Sequence, residues 1–344
     1  MKGRVIALDE LKGRRVAVLI EDGVVEDLLI DGPDDSFAPG AILRGICDRP
    51  LKGQGGMMLR LPDGQTGYLR GAKGLKPGQA LLVQVTSRGE PGKAVPVSDR
   101  VLFKSRFAIV TPGAPGLNIS RAIRDDEERV RLHEIAVDLM GEAAEGLILR
   151  SAAKGASDEE VAGDIAGMLE LSRAVREDAE GREPELLVDG PDAHLLAWRD
   201  WPRPDHLDEG GFAAHDIEIT RWLAPRVGLP GGAYAYIEPT RALVAVDVNT
   251  GSDTSPAAGL KANIALARVL PRELRCRGLG GQIVVDFAPM PKKERRQLEQ
   301  ILRASFRTDG IETSLVGWTT LGNFELQRKR ERLPLGDTLS GSLP

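Results

Sequence analysis

Two apolar runs in the last third of the chain each carry one aspartate: Ala242 to Gly251 reads ALVAVDVNTG, and Gly278 to Phe287 reads GLGGQIVVDF. A carboxylate buried in such a strand-like run costs several kcal/mol unless something pairs it, so Asp247 and Asp286 are expected to be buried and to need a partner. A divalent metal is the simplest common partner. Asp286 follows Asp247 by 39 residues, with one helical stretch between them. That is the spacing of a strand, a crossover helix and a neighbouring parallel strand, which brings both carboxylates to the same sheet end. The helix signal is the apolar series Leu260, Ile264, Ala267, Leu270 and Leu274, and Pro271 within it predicts a kink or a restarted helix. Asn249 shares a face with Asp247 at strand period two, where an amide can orient a carboxylate or a bound water. Two oxygen ligands, with water completing the shell, describe magnesium. A lone strand aspartate is more often a cap, a turn former or an ion-pair member; the matched pair with Asn249 brings the metal reading level with those. The run Gly278 to Gly281 leads from helix into strand, the reverse of a phosphate loop, and predicts a helix stop and tight turn.

Composition limits the alternatives. At 344 residues and 42% hydrophobic content, the chain suits a soluble globular protein of two to four domains. It has neither an apolar stretch of membrane-spanning length nor a signal-peptide block in MKGRVIALDELKGRR, so a cytoplasmic location is expected. Cys47 and Cys276 are far apart, and His133, His194, His206 and His215 show no ligand spacing, so any essential metal should be oxygen-bound. Net charge is −5, yet basic residues outnumber acidic ones from Arg226 onward while acids prevail before it. The segment Pro291 to Arg307 places Leu298, Ile301, Leu302 and Ser305 on one helical face and Lys292, Lys293, Arg295, Arg296, Arg303 and Arg307 mainly elsewhere. Arg328, Lys329, Arg330 and Arg332 form a second cluster. Such runs are usually solvated faces, and phosphate contact is the functional alternative for each.

Earlier segments have a readable order. Residues 1 to 31 predict a three-stranded meander, with Arg14 to Ile20 and Val24 to Ile30 paired across Glu21-Asp22-Gly23, followed by a charged linker from Asp31 to Pro39. Five short strands then recur at Ile42 to Cys47, Met57 to Leu61, Thr66 to Leu69, Ala80 to Thr86 and Ala94 to Ser98, which suggests a small closed barrel of the oligonucleotide-binding (OB) kind. Tyr68 is either a base-stacking platform, with Arg70, Lys73 and Lys93 as phosphate contacts, or ordinary half-buried sheet surface. Residues 125 to 140 and 158 to 177 read as helices, with Asp125 and Glu128 capping the first. GLILRS, from Gly146 to Ser151, is a strand ending in an Arg-hydroxyl pair that can grip a phosphate, although a generic strand end is more frequent. WRDWPRP, from Trp198 to Pro204, shows no catalytic spacing.

Taken together, VAVDVNTG, KANIALARVLPRELRCRGLGGQIVVDFAPM and the basic helix resemble the catalytic region of the ribonuclease E/G family. RRVAVLIEDGVVEDLLI, the barrel with GYL, PGAPGLNISRAI, GLILRSA and LGNFELQRKR match in the family's order, so the likeness covers nearly the whole chain. It implies an α+β multidomain fold: a split RNase H-like domain (residues 1–33 and 180–224), an inserted OB-fold RNA-binding domain (34–104), a 5′-end sensor-like region (105–179) and a DNase I-like α/β catalytic domain (225–344). It also implies that Asp247 and Asp286 are Mg²⁺ ligands and Asn249 a supporting catalytic amide. Arg150 and Ser151 fall on the family's Arg-Thr that holds a 5′-monophosphate, with Ile109 near the backbone part of that pocket. Tyr68 and Lys93 match RNA-contacting positions of the barrel, and Arg121, Lys292 and Arg296 join them as implied RNA contacts. The implied reaction is hydrolysis of single-stranded RNA to a 5′-phosphate and a 3′-hydroxyl, in rRNA or mRNA maturation or decay.

Four departures accompany the likeness. With the sequence ending at Pro344, the family's paired zinc-binding cysteines are missing; no zinc is expected, and any oligomer should not be zinc-linked. The family's Asp-Arg-x-Arg segment is Asp309-Gly310-Ile311-Glu312 here, and the second acid of its aspartate strand is Ala288. The sensor region is also shortened. The expectation is therefore a magnesium-dependent endoribonuclease acting on single-stranded RNA, with a 5′-monophosphate as an optional recognition feature and no membrane partner. A non-catalytic RNA-binding factor from the same family is the alternative, and a generic DNA-binding module is a third.

Overall fold

Short strands punctuated by glycine and proline close on themselves in the first half of the chain. The computed structural model describes residues 2–32, 37–51, 55–71, 73–88, 92–141, 145–215 and 217–340. Residues 33–36 of the expected linker and the last four of the sequence therefore lie outside the described residues. Two compact units emerge, one of residues 33–205 and one joining residues 1–32 to residues 206–344.

In the first of these, Ile42–Leu51, Gly56–Arg60, Thr66–Arg70, Val95–Ser98 and Ala80–Val85 form a sheet whose first and last strands also pair, giving a closed five-stranded, OB-like barrel. Alternation fills its interior: Leu43, Leu59, Leu69, Val83, Val85, Val95 and Val97 are all buried. Glu185–Val188 adds to the outer edge of Ile42–Leu51. A second sheet, ordered Gly116–Ile119, Gly146–Leu149, Ala108–Thr111 and Phe103–Lys104, packs against the helices Asp126–Met140 and Asp158–Glu177. Both helices start where the sequence signals a start. Asp125 accepts from the Glu128 N–H at 2.9 Å, and Ser157 with Glu160 forms a reciprocal capping box.

The other unit begins with the meander Arg4–Leu11, Arg14–Glu21 and Val24–Ile30. Its second hairpin turns through Asp22 and Gly23 at φ 49° and 80°, the left-handed pair that a two-residue turn requires. His206–Asp208 joins Arg4–Leu11 in parallel, so the sheet combines strands from both chain segments of the unit. A six-stranded sheet follows, in the order Arg226–Gly228, Tyr234–Pro239, Val244–Asn249, Gly281–Asp286, Phe324–Arg328 and Thr313–Trp318. Only its two central strands run parallel to each other, and the helix Ala258–Cys276 connects them.

Of the kink or restart expected at Pro271, the restart does not occur: Ala258–Cys276 is one continuous helix. Pro271 is buried among Leu266, Ala267, Leu270 and Leu274, and packing of this face outweighs the hydrogen bond that proline cannot make. Leu266 is fully buried whereas Leu260 and Ile264 are only half-buried, so the core stripe is rotated from the sequence-based assignment. The stop at Gly278 is as expected. Its φ is +65°, its N–H donates to Arg275 O, and Leu279 N–H reaches back to Leu274 O at 2.9 Å. The helix Arg295–Arg307 buries Leu298, Leu302 and Phe306 against the same sheet face.

Candidate functional site

Packing on one face of the six-stranded sheet decides where the aspartates point. Val244, Val246, Val248, Ile283 and Val285 face the helices and are buried. The alternate residues emerge on the opposite face, where both Asp247 and Asp286 are exposed. The expectation of buried carboxylates is thus overturned. A run that reads as wholly apolar here covers a sheet with only one side packed, and the polar members stand on the other side.

Asp247 and Asp286 are register partners on adjacent parallel strands, about 4.8 Å apart in the backbone. Asn249 Nδ2 donates to Asp247 Oδ2 at 2.7 Å, which fixes that carboxylate and leaves its other oxygen outward. Among the described residues, no lysine, arginine or histidine forms an ion pair with either aspartate. Asp286 is held from its C-terminal side. Phe287 packs against Trp318 and Phe324 at ring-centroid distances of 5.8 and 6.3 Å. Asn263, fully buried on the crossover helix, clamps the next residue by donating to Ala288 O and accepting from Ala288 N–H, both at 2.9 Å. Gly259 permits the approach, since a Cβ there would lie 2.1 Å from Pro289 O.

Two side-by-side exposed carboxylates with no ion-pair partner among the described residues are a donor set suited to a hard divalent cation that keeps much of its water. Among the described residues, no group of three or more His, Cys, Asp or Glu is arranged to hold a metal, so the pair would rely on water for its remaining ligands. Cys47 and Cys276 are each buried, and they belong to different units.

The basic residues separate into two kinds. Lys292 and Arg296 are exposed at the start of the helix Arg295–Arg307. Arg328 and Arg332, which the sequence placed in a candidate phosphate-binding cluster, are instead committed to carboxylates, Arg328 in the interior and Arg332 half-buried. Arg328 is fully buried, ion-paired with Asp309 and hydrogen-bonded to Thr313 Oγ1 at 2.8 Å. Arg332 grips both oxygens of Asp27, and Arg275 bonds Asp309 at 2.6 Å. Burial works to raise the Asp27 carboxyl, but Arg332 and Arg275 outweigh it and hold its pKa below the usual carboxylate range.

In the residue 33–205 unit, Ile109, Arg121, Arg150 and Ser151 gather at one end of the four-stranded sheet. Ile109 pairs with Ile148, Arg150 N–H donates to Phe107 O, and Ser120 N–H donates to Leu149 O. Arg121 and Ser151 are exposed. The Arg150 guanidinium is committed inward. Nη1 donates to Ser105 O at 2.5 Å, Arg106 O at 3.2 Å and Arg199 O at 3.1 Å, and Nη2 to Asp200 Oδ1 at 2.7 Å. Asp200 also binds Lys104 and Arg199, whose charges overcome burial and hold its carboxyl well below the ordinary range. WRDWPRP, which shows no catalytic spacing, thus supplies the carboxylate that anchors Arg150, a role invisible in the sequence. Tyr68 is half-buried on the barrel's outer face, its ring lying where a Gly56 side chain would be. Lys93 is exposed, just ahead of the strand that pairs with the Tyr68 strand. Sequence reasoning also misses Tyr234 and Tyr236, although YAYI from Tyr234 to Ile237 carries a period-two signal.

The model of the Ribonuclease E/G family matches residues 103–208 and 211–331. Ribonuclease E of Nostoc sp. is 30% identical over 301 residues, 75% of this chain and 44% of the relative. Ribonuclease G of Salmonella typhimurium is 29% identical over 315 residues, 78% of this chain and 63% of the relative. Ribonuclease G of Escherichia coli strain K12 is 28% identical over the same length and shares. The chain thus spans 44% of the ribonuclease E and 63% of the ribonuclease G that it matches. With both the crossover unit bearing the two aspartates and the Arg150 sheet inside the matched segments, the chain belongs to the Ribonuclease E/G family.

Proposed function

We propose that the protein is a magnesium-dependent endoribonuclease that cleaves single-stranded RNA, acting in the cytoplasm in RNA processing, including rRNA maturation. The observation that carries this reading is the register pairing of Asp247 with Asp286 on the open sheet face, without a cationic partner among the described residues. Asp247 and Asp286 would hold the cation. When bound, it supplies Lewis-acid stabilisation of phosphate charge and lowers the pKa of a water. Asn249 holds Asp247 in one rotamer, and the Asn263 clamp and Phe287 packing hold the backbone beside Asp286, so the pair is preorganised. The products are a 5′-phosphate and a 3′-hydroxyl.

RNA would lie along the OB-like barrel at Tyr68 and Lys93 and along Lys292 and Arg296. In this reading the barrel sits within a split RNase H-like domain, and the six-stranded unit is a DNase I-like catalytic domain. Ile109, Arg121, Arg150 and Ser151 would form the 5′-end receptor. The Arg150–Asp200 pair favours a weak 5′-monophosphate preference, because a phosphate must displace or share an existing carboxylate partner. No helix among the described residues is long and apolar enough to cross a membrane.

The test is cleavage of a labelled AU-rich single strand carrying a 5′-monophosphate or 5′-hydroxyl, by wild type and Asp286→Asn, with and without Mg²⁺. Internal cuts lost in the variant and with chelator support the reading. Binding without cleavage in either protein would leave the RNA-binding factor as the better account.

A further inference from the structure

Two of the chain's three tyrosines stand on the open face beside the carboxylate pair. In the strand Tyr234–Pro239, Ala235 and Ile237 are buried under the helices, so Tyr234 and Tyr236 emerge on the other side. Tyr236 is the register partner of Asp247, and Tyr234 that of Asn249. One row across the sheet therefore reads Arg226, Tyr236, Asp247, Asp286. The Tyr234 and Tyr236 rings meet edge to face, with centroids 5.7 Å apart and planes at 83°. The exposed Arg226 guanidinium lies 4.6 Å from the Tyr234 ring centroid.

Core packing does not account for these rings. They belong to no buried cluster, and the exposed side chains beside them on this face are charged: Arg226, Glu238 and Asp247. Among the described residues, neither tyrosine hydroxyl has a hydrogen-bond partner, so their placement is not explained by a buried polar contact. Half-exposed aromatic faces flanked by an arginine are the surface on which an unpaired base stacks, whatever its identity, because every base has a π-face.

We propose that Tyr234 and Tyr236 form a base-stacking ledge that seats a nucleobase next to the scissile phosphate, with Arg226 bracing Tyr234 by cation–π contact. The ledge rests on the nuclease reading of Asp247 and Asp286 and adds a positioning element to it. Strand spacing puts Tyr236 about 5 Å from Asp247 in the backbone, so a base adjoining a phosphate at the carboxylates reaches the rings. Duplex RNA, whose bases are already stacked, cannot use the ledge. Single-stranded RNA is thereby selected.

The experiment measures binding of a short fluorescent single-stranded RNA in chelator, with an abasic nucleotide moved through each position, to the full chain and to Tyr236→Ala, Tyr234→Ala and Tyr236→Phe. The expected result is one abasic position that weakens wild-type binding about tenfold, a penalty that disappears in Tyr236→Ala, shrinks in Tyr234→Ala and persists in Tyr236→Phe. In Mg²⁺, Tyr236→Ala should raise KM by a similar factor with kcat little changed. The proposal is overturned if every abasic penalty survives both alanine substitutions, or if Tyr236→Phe behaves as Tyr236→Ala. Because binding is read without metal, the ledge can stand when cleavage is absent, which would refute only the nuclease reading. Cleavage with no abasic coupling would do the reverse.

Discussion

Four aspartates of one structural unit are treated in two opposite ways. Asp27 and Asp309 are enclosed and gripped by arginines, Arg332 and Arg275 in one case, Arg328 and Arg275 in the other. Asp247 and Asp286 face solvent with no cation paired to either among the described residues. The first pair cannot lose its partners without stranding buried charge. The second pair has outward oxygens to offer and little folding role to protect. The contrast separates structural carboxylates from candidate ligands by pairing, not by how apolar their neighbours in sequence are.

The comparison breaks most readily through exchange of carboxylate for amide. Asp286→Asn should reduce RNA cleavage by at least about two orders of magnitude, the scale of removing a stabiliser of transition-state charge, with thermal unfolding unchanged. Asp309→Asn should do the converse. Leaving Arg328 buried and unpaired costs about 3–5 kcal/mol, read by denaturant melts, while activity per folded molecule persists. If Asp286→Asn also destabilises by several kcal/mol, the division fails.

A smaller effect is expected at Asn263, which links the crossover helix to the segment after Asp286. Asn263→Ala strands the N–H and C=O of Ala288 and should cost about 1–3 kcal/mol, with a lower kcat from the loosened carboxylate. Unchanged stability in that variant would show that the clamp is not holding the loop.

Acid titration sharpens the contrast further. Asp27 has a folded pKa held below its ordinary value of 3.8. Its stabilising contribution is therefore complete above that ordinary value and is lost as pH falls toward and through the depressed one. Asp27→Asn should flatten this acid limb of the stability curve, measured as unfolding free energy against pH. An unaltered limb would show that Arg332 does not stabilise the ionised form.

The mildest change is on the exposed basic helix. Alanine at both Lys292 and Arg296 should leave stability within about 0.5 kcal/mol. It should also lower the slope of log binding against log salt by about one for each phosphate that the helix no longer neutralises. An unchanged slope would remove both residues from the RNA path.

Much of this architecture is legible in the sequence because its signals are local. The barrel strands announce themselves through alternation and turn glycines, the two helices through apolar periodicity and, for the first, the Asp125 cap, and the crossover through strand, amphipathic helix and strand. That topology brings Asp247 and Asp286 to the same sheet end, and their exact register is visible only in the structure. Burial does not follow, since VAVDV and IVVDF look the same whether one face of the sheet is covered or both. Arg332 and Asp27 are 305 residues apart, and nothing local reveals that an arginine in a basic cluster is already taken. Arg150 resembles a phosphate grip for the same reason, its carboxylate partner lying 50 residues on at Asp200. Tyr234 and Tyr236 are neither charged nor metal-ligating and so draw no notice as chemistry, although their alternation with Ala235 and Ile237 already places them on the face of Asp247.

The most direct measurement is Mn²⁺ titration followed by electron paramagnetic resonance, with wild type, Asp247→Asn, Asp286→Asn and Asp309→Asn compared under folded conditions. Wild type and Asp309→Asn should each bind one ion, and that ion should be lost in both Asp247→Asn and Asp286→Asn. Undiminished binding in the two strand variants would contradict the claim that these carboxylates form the cation site.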